Sequence, residues 1–206
     1  MAVSFDLFGT LVDADRPTDP AAAVARELRE RDVAVPSDFE AAYRKTHVDA
    51  PEGAEVPLPA HVSAALASRG VDAPNNAARR AVVAAFDPEV RRRPGAIEAI
   101  EAAREHGPVG LCSNCSVPEL ARRALIRADL RDALDCVVTS VACGWRKPDP
   151  RAFETVARRL DVPVAELTHV GDDPATDGGV VDAGGRFVDI DETPLSALDA
   201  ELEAPR

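Results

Sequence analysis

The sequence predicts an α/β protein, a doubly wound parallel sheet whose first strand is separated from the others by an inserted helical domain. Three observations carry this prediction. After Pro94-Gly95, short apolar runs alternate with helical patterns, as in a parallel sheet covered on both faces. A single strand-like run, closed by the turn signal Gly9-Thr10, opens the chain. Between these two parts, one helical pattern follows another with no strand pattern among them. The division that results is a core of residues 1–15 and 92–206 around a helical cap of residues 16–91.

Residues 3–8 (Val-Ser-Phe-Asp-Leu-Phe) form the opening strand and its end. Four helices are expected at 20–31, 37–48, 59–69 and 75–86; each begins with a Pro, Ser or Asn that can lead or cap a helix, and Gly70 follows the third. The core resumes with a helix at 96–106, a strand at 109–112, a helix at 117–128, a strand at 135–140, a helix at 150–160 and a strand at 167–170. A short helical segment at 174–183, a strand at 186–190 and an acidic closing helix complete it.

The chain has 206 residues, room for a large packed core, and carries 36 acidic against 24 basic residues for a net charge of −12. Long-range repulsion at that charge argues against nucleic acid and against an anionic membrane surface as partners. No apolar run approaches the ~18–20 residues that a membrane span needs. The start, MAVSFDLFGTLVD, lacks a basic leader region and buries an Asp in its apolar run, so no cleaved leader is expected. The expectation is a soluble, cytoplasmic protein acting on a small molecule. Only two of the 24 basic residues, Lys45 and Lys147, are lysine. Lysine scarcity with an acid excess fits a salt-rich cytoplasm and a GC-rich genome equally well. Of the four cysteines, Cys112 and Cys115 make a C-x-x-C pair, while Cys136 and Cys143 are too widely spaced for a second tight zinc pair. Small buried thiols are the default reading, ahead of thiol redox chemistry and of zinc.

Working groups in such sheets collect at the carboxyl ends of the strands. Asp6 and Thr10 follow the first strand, Ser113 and Asn114 the second, and Lys147 sits in Arg-Lys-Pro-Asp-Pro at 146–150; Asp172, Asp173 and Asp177 follow the strand at 167–170. A carboxylate nucleophile, a hydroxyl, an amide and a lysine that neutralises charge make one chemical set. Asp6, Asp172 and Asp173 offer hard oxygen donors suited to Mg²⁺. Taken singly, each of these residues is an ordinary turn residue or cap. The ordered set is what gives them meaning.

The runs Asp-Leu-Phe-Gly-Thr-Leu (6–11), Leu-Cys-Ser-Asn (111–114), Arg-Lys-Pro-Asp-Pro (146–150) and Gly-Asp-Asp-Pro-Ala-Thr-Asp (171–177) resemble, in order and spacing, the four motifs of the haloacid dehalogenase-like hydrolase superfamily. The resemblance implies a Rossmann-like core with a helical cap placed after the first motif. It implies that Asp6 is the nucleophile, forming an aspartyl ester, and that Thr10 and Ser113 orient it and the substrate. Lys147 would bridge Asp6 and the transferred group. In a phosphatase, Mg²⁺ would be bound by Asp172, with Asp173 or Asp177 and the backbone carbonyl of Phe8 helping.

One position departs from the phosphatase pattern. Those enzymes carry a second Asp two residues after the nucleophile as general acid and base; this chain has Phe8 there. General acid–base help is worth typically ~10²–10⁴-fold. Dehalogenases of the superfamily have an aromatic residue at that place, because halide leaves without a proton. Their halide- and carboxylate-binding Arg resembles Arg44 of this chain. The acidic fourth motif points the other way, since Asp6, Asp172 and Asp173 crowded together repel one another without a cation. Three readings therefore follow: a Mg²⁺-dependent phosphatase, a metal-free dehalogenase, or a member that binds without turnover. A phosphonate-cleaving reading would use Lys45, whose surroundings match poorly. His169 is expected to face the helix layer rather than the cleft, and residues 91–93 (Arg-Arg-Arg) are expected to form a solvated hinge.

Overall fold

A computed structural model of the chain describes residues 1–204. Five parallel strands make the central sheet in the order β5-β4-β1-β6-β7: β1 (Ala2–Phe5), β4 (Val109–Ser113), β5 (Cys136–Thr139), β6 (Leu167–Gly171) and β7 (Arg186–Asp189). The chain leaves β1 to build one side of the sheet with β4 and β5, then crosses to the other side for β6 and β7. The order therefore reverses at β1. Loops after β1, β4 and β6 diverge there and leave a crevice at the carboxyl edge.

Strand alternation divides the buried side chains into two layers. On one face Val3, Phe5, Val109, Leu111, Val170 and Val188 pack with α5 (Ala96–His106) and α9 (Leu198–Glu203). On the other, Ala2, Cys112, Val138 and Leu167 pack with α8 (Pro150–Arg159), whose Phe153 and Val156 are fully buried. Ser4 and His169 lie on this second face, paired in register across β1 and β6 and fully buried. Each expected core strand is present.

The helical insertion holds α1 (Pro20–Arg29), α2 (Phe39–Tyr43), α3 (Leu58–Ala67) and α4 (Ala77–Ala85). Asp19 caps α1 by accepting from the Ala22 amide at 3.0 Å. Expected at 37–48, α2 stops at Tyr43, because two imidazoles satisfy its last carbonyls: His47 Nε2 lies 2.7 Å from the Ala42 oxygen and His61 Nε2 2.6 Å from that of Tyr43. Both flanks of the insertion pair with each other, which the sequence pattern did not suggest. β2 (Val12–Ala14) and β3 (Val90–Arg92) form an antiparallel ribbon, so the expected Arg hinge is a strand. Two core helices are also shorter than expected. α6 (Leu120–Arg127) begins after Pro118, which disfavours helix at Val117. The segment expected at 174–183 is reduced to a 3₁₀ turn, Asp177–Val180, containing Gly178 and Gly179. A Cβ on Gly179 would lie 2.5 Å from the Pro148 oxygen, so this turn packs directly on the loop that carries Lys147. A four-residue helix, α7 (Ser140–Cys143), follows β5.

Candidate active site

The loop after β1 is folded onto itself by one carbonyl: Leu7 O accepts from the amides of Leu11 and Val12, each at 2.9 Å. Fully buried Leu7 and Leu11 anchor the loop, and Asp6 points from it into a cavity of about 330 Å³. Gly9 adopts φ +100°, and a Cβ there would stand 2.2 Å from Asp172 Oδ2. Only glycine permits both that backbone and that approach. The approach is fixed from the other side by Thr10, whose hydroxyl donates to Asp172 Oδ1 at 2.7 Å.

Lys147 is the centre of the cavity floor. Its Nζ donates to Asp6 Oδ1 at 2.7 Å and to Asp177 Oδ1 at 2.5 Å, with its side chain only 2% exposed. Burial pushes its pKa down, but Asp6 and Asp177 outweigh that and raise it above the ordinary value, so it stays an ammonium. Burial likewise raises Asp177, and here the His169 hydrogen bond and the Lys147 charge win, holding it below the usual carboxylate range. Beneath them His169 Nε2 lies 3.2 Å from Asp177 Oδ1 and 3.4 Å from Lys147 Nζ, while Nδ1 lies 2.8 Å from the Ser4 hydroxyl. Burial, reinforced by Lys147, lowers its pKa and keeps the ring neutral. The partners assign the tautomer: Nε2–H donates to the Asp177 carboxylate and Nδ1 accepts from Ser4.

Asn114 clamps the backbone of Lys147 from both sides, accepting from its amide and donating to its carbonyl, each at 2.8 Å. Ser113, the last residue of β4, lines the cavity beside it. Asp172 is half-buried; burial raises its pKa, Thr10 opposes this, and repulsion from Asp6 and Asp177 adds to it. The cavity thus gathers carboxylates that one lysine does not neutralise.

A model of the haloacid dehalogenase-like hydrolases matches residues 1–179.

The chain belongs to this family.

A phosphatase of Mycobacterium tuberculosis is 43% identical over 70 residues, a stretch covering 34% of this chain and only 32% of that protein. Among solved structures, a 2-haloacid dehalogenase from Pseudomonas syringae matches with a TM-score of 0.64 and 18% identity, over 98% of this chain and 96% of its own. A predicted phosphoglycolate phosphatase from Haemophilus somnus matches with a TM-score of 0.56 and 16% identity, over 91% of this chain and 84% of its own. These structural likenesses carry the hydrolase fold.

Of the residues singled out in sequence, Asp6, Ser113, Asn114, Lys147, Asp172 and Asp177 meet at this cavity. Phe8 lines it as well, with its ring beside Arg16. Thr10 reaches it through Asp172. Asp173 lines the rim, but its oxygens are committed to its own turn, accepting from the Ala175 amide and the Thr176 hydroxyl at 3.0 Å each. Arg44 is not brought here. It is 73% exposed, paired with Glu40 at 2.5 Å, and lines a separate cavity in the helical insertion with Lys45 and His61. The cysteines stay apart from the chemistry: burial pushes the Cys112 thiol up to about 12 and raises Cys115 as well.

Two contributors escaped the sequence reading. His169 does face α8, with its ring edge-on to Phe153, yet its far nitrogen reaches the cavity floor. Its pairing with Ser4 across the sheet is the signal, a polar pair at matching positions of two apolar strands. The other is Glu55, whose side chain is 3% exposed; it accepts from Arg146 Nη1 at 2.8 Å and from the Ser140 hydroxyl. Ser140 in turn accepts from the Cys115 amide at 2.8 Å. One residue of the helical insertion therefore ties together the loops that carry Asn114 and Lys147.

Among the described residues, no three His, Cys, Asp or Glu side chains converge as a metal cluster. The fit to Mg²⁺ rests instead on two carboxylates. Asp6 and Asp172 are hard oxygen donors held at neighbouring loops, and Mg²⁺ typically takes one or two carboxylates and keeps several waters. The residues present fit that ion.

Proposed function

We propose that the chain is a Mg²⁺-dependent phosphatase of the cytoplasm, acting through Asp6 on a small phosphorylated molecule with a good leaving group, with residues 16–91 as its cap. The observation that carries this is Asp172, drawn against Gly9 by Thr10 and repelled by Asp6 and Asp177. Such an acid excess is what a divalent cation offsets. Bound there, Mg²⁺ would be held by Asp6, Asp172 and the carbonyl of Phe8, and would screen the carboxylates from an incoming phosphate.

The chain's own residues do the rest. Lys147 fixes Oδ1 of Asp6, leaving Oδ2 to attack phosphorus. Asp177, itself oriented by His169, holds the ammonium, and Asn114 holds its backbone, so the charge is in place before substrate arrives. Phe8 offers no proton, so the leaving group has to depart as an anion.

Phe8 also supports a second reading, a metal-free dehalogenase, because halide needs no proton. A member that binds without turnover is the third. Release of phosphate or halide from an aryl phosphate, alkyl phosphates and 2-haloacids, measured with Mg²⁺ and with EDTA, separates them. The phosphatase reading expects aryl phosphate turnover that EDTA abolishes and that Asp6→Asn lowers by on the order of 10⁴-fold or more. Halide release indifferent to EDTA overturns it.

A further inference from the structure

The reacting cavity is not closed at Phe8. A second cavity, of about 190 Å³, continues past it between the core and the helical insertion, and both are lined by Phe8, Arg16, Asn114 and Arg146. These four form a neck. Beyond the neck Phe86, Pro88, Val117 and Leu120 form an apolar part of the wall, which polar Asp15 and Ser116 also line. A cavity of roughly 150 Å³ accepts one benzene ring, so the space past Phe8 has room for a single ring.

The two guanidinium groups at the neck are in different states. Arg146 is matched by buried Glu55 at 2.8 Å. Arg16 lies over the Phe8 ring, 5.9 Å from its centroid, and among the described residues it has no carboxylate partner. The adjacent acid, Asp15, is taken by Arg91 at 3.1 Å. An unmatched guanidinium at the entrance to this chamber suits an anionic group that arrives with the substrate; its planar fork matches a carboxylate.

We infer that Arg16 determines specificity by binding a carboxylate on the leaving group, and that the substrate class is an aryl phosphate bearing that carboxylate, its ring seated against Phe8. This rests on the phosphatase reading and narrows it. The chemistry balances without a general acid. Asp6 bonds to phosphorus, the phosphorus–oxygen bond breaks with its electrons on the departing oxygen, and a phenolate leaves, phenols having pKa ≈ 10. Water then attacks phosphorus and the bond from phosphorus to the Asp6 oxygen breaks, restoring the carboxylate; one of the water's protons stays on the phosphate and the other passes to the departed phenolate or to solvent.

The test compares kcat/KM for phenyl phosphate and para-carboxyphenyl phosphate, in magnesium buffer, for the wild type, Arg16→Gln and Arg16→Lys. Arg16 is exposed, and thermal melts check that the variants fold. The wild type is expected to favour the carboxylated ester by about 10-fold or more, the size of a charge-assisted hydrogen bond. Arg16→Gln is expected to collapse the ratio toward one, mainly through KM, and Arg16→Lys to keep part of it. A wild type without preference, or an Arg16→Gln enzyme slowed equally on both esters, overturns the inference and leaves the phosphatase intact. A wild type that hydrolyses neither ester overturns the phosphatase reading itself.

Discussion

On the floor of the cavity, Lys147 answers Asp6 and Asp177 at 2.7 and 2.5 Å, and the side chains of Lys147 and Asp177 are 2% exposed. At the neck, Arg16 is exposed and Phe8 partly so, joined by a ring contact. The floor is arranged in advance: its one ammonium is held between two carboxylates, and the tautomer of His169 follows from its neighbours. At the neck, Arg16 is left without a carboxylate among the described residues. A reaction common to a whole family needs a fixed charge pattern, whereas choosing among substrates needs groups whose partner is the substrate. Pre-arranged pairing marks the chemistry here, and its absence marks selection.

The strongest way to break that contrast is on the floor. Lys147→Met leaves two carboxylates facing each other with no cation. It is expected to cost about 3–5 kcal/mol of stability by urea denaturation and roughly 10²–10³-fold in kcat. A variant that keeps wild-type stability would mean that the floor is wetter and less committed than the distances imply. His169→Gln comes next, at about 1–3 kcal/mol, since it disturbs one buried hydrogen bond to a charged group. It also has a pH signature. His169 is held neutral when folded, so below about pH 6.5 the unfolded chain binds a proton that the native one refuses. Stability therefore falls as pH drops through that window, and Gln at 169 is expected to flatten the slope.

Smaller effects sharpen the other side. Glu55→Gln frees Arg146, which is 44% exposed, so the lost pair is expected to cost at most about 1 kcal/mol. The larger reading is kinetic: a rise in KM that exceeds the change in kcat, because Arg146 lines the neck. Arg44→Ala is expected to change kcat/KM by less than about twofold and stability by no more than roughly 0.5 kcal/mol, as for an exposed i,i+4 pair. A tenfold loss of activity there would return Arg44 to the substrate.

The floor was legible in the sequence, whereas at the neck Phe8, Asn114 and the motif residue Arg146 were and Arg16 was not, for a local reason. Asp6, Ser113 and Asp172 each follow an apolar strand directly, so a short window of chain reveals both the strand and the group at its end. The core strands were readable in the same way. His169 was hidden because its strand reads as apolar; only the register of β6 on β1 puts it beside Ser4 and under Lys147. β2 and β3 have three residues each and depend on pairing across the whole helical insertion, a signal that no local pattern holds. Arg44 had the right spacing for a substrate ligand, but the early end of α2, imposed by His47 and His61, turned that stretch toward a separate cavity.

The ribbon has one more consequence. Val12 faces Arg92 and Ala14 faces Val90, so the chain departs from the sheet and comes back to it at adjoining positions. What hangs between them is a plug in a socket. Closure entropy rises only about 0.6 kcal/mol for each doubling of loop length, so the sheet is nearly indifferent to how large the plug is. Over evolutionary time, or at the bench, one set of helices can be exchanged for another at Ala14 and Val90, provided that the new set supplies an acid to Arg146 where Glu55 now stands.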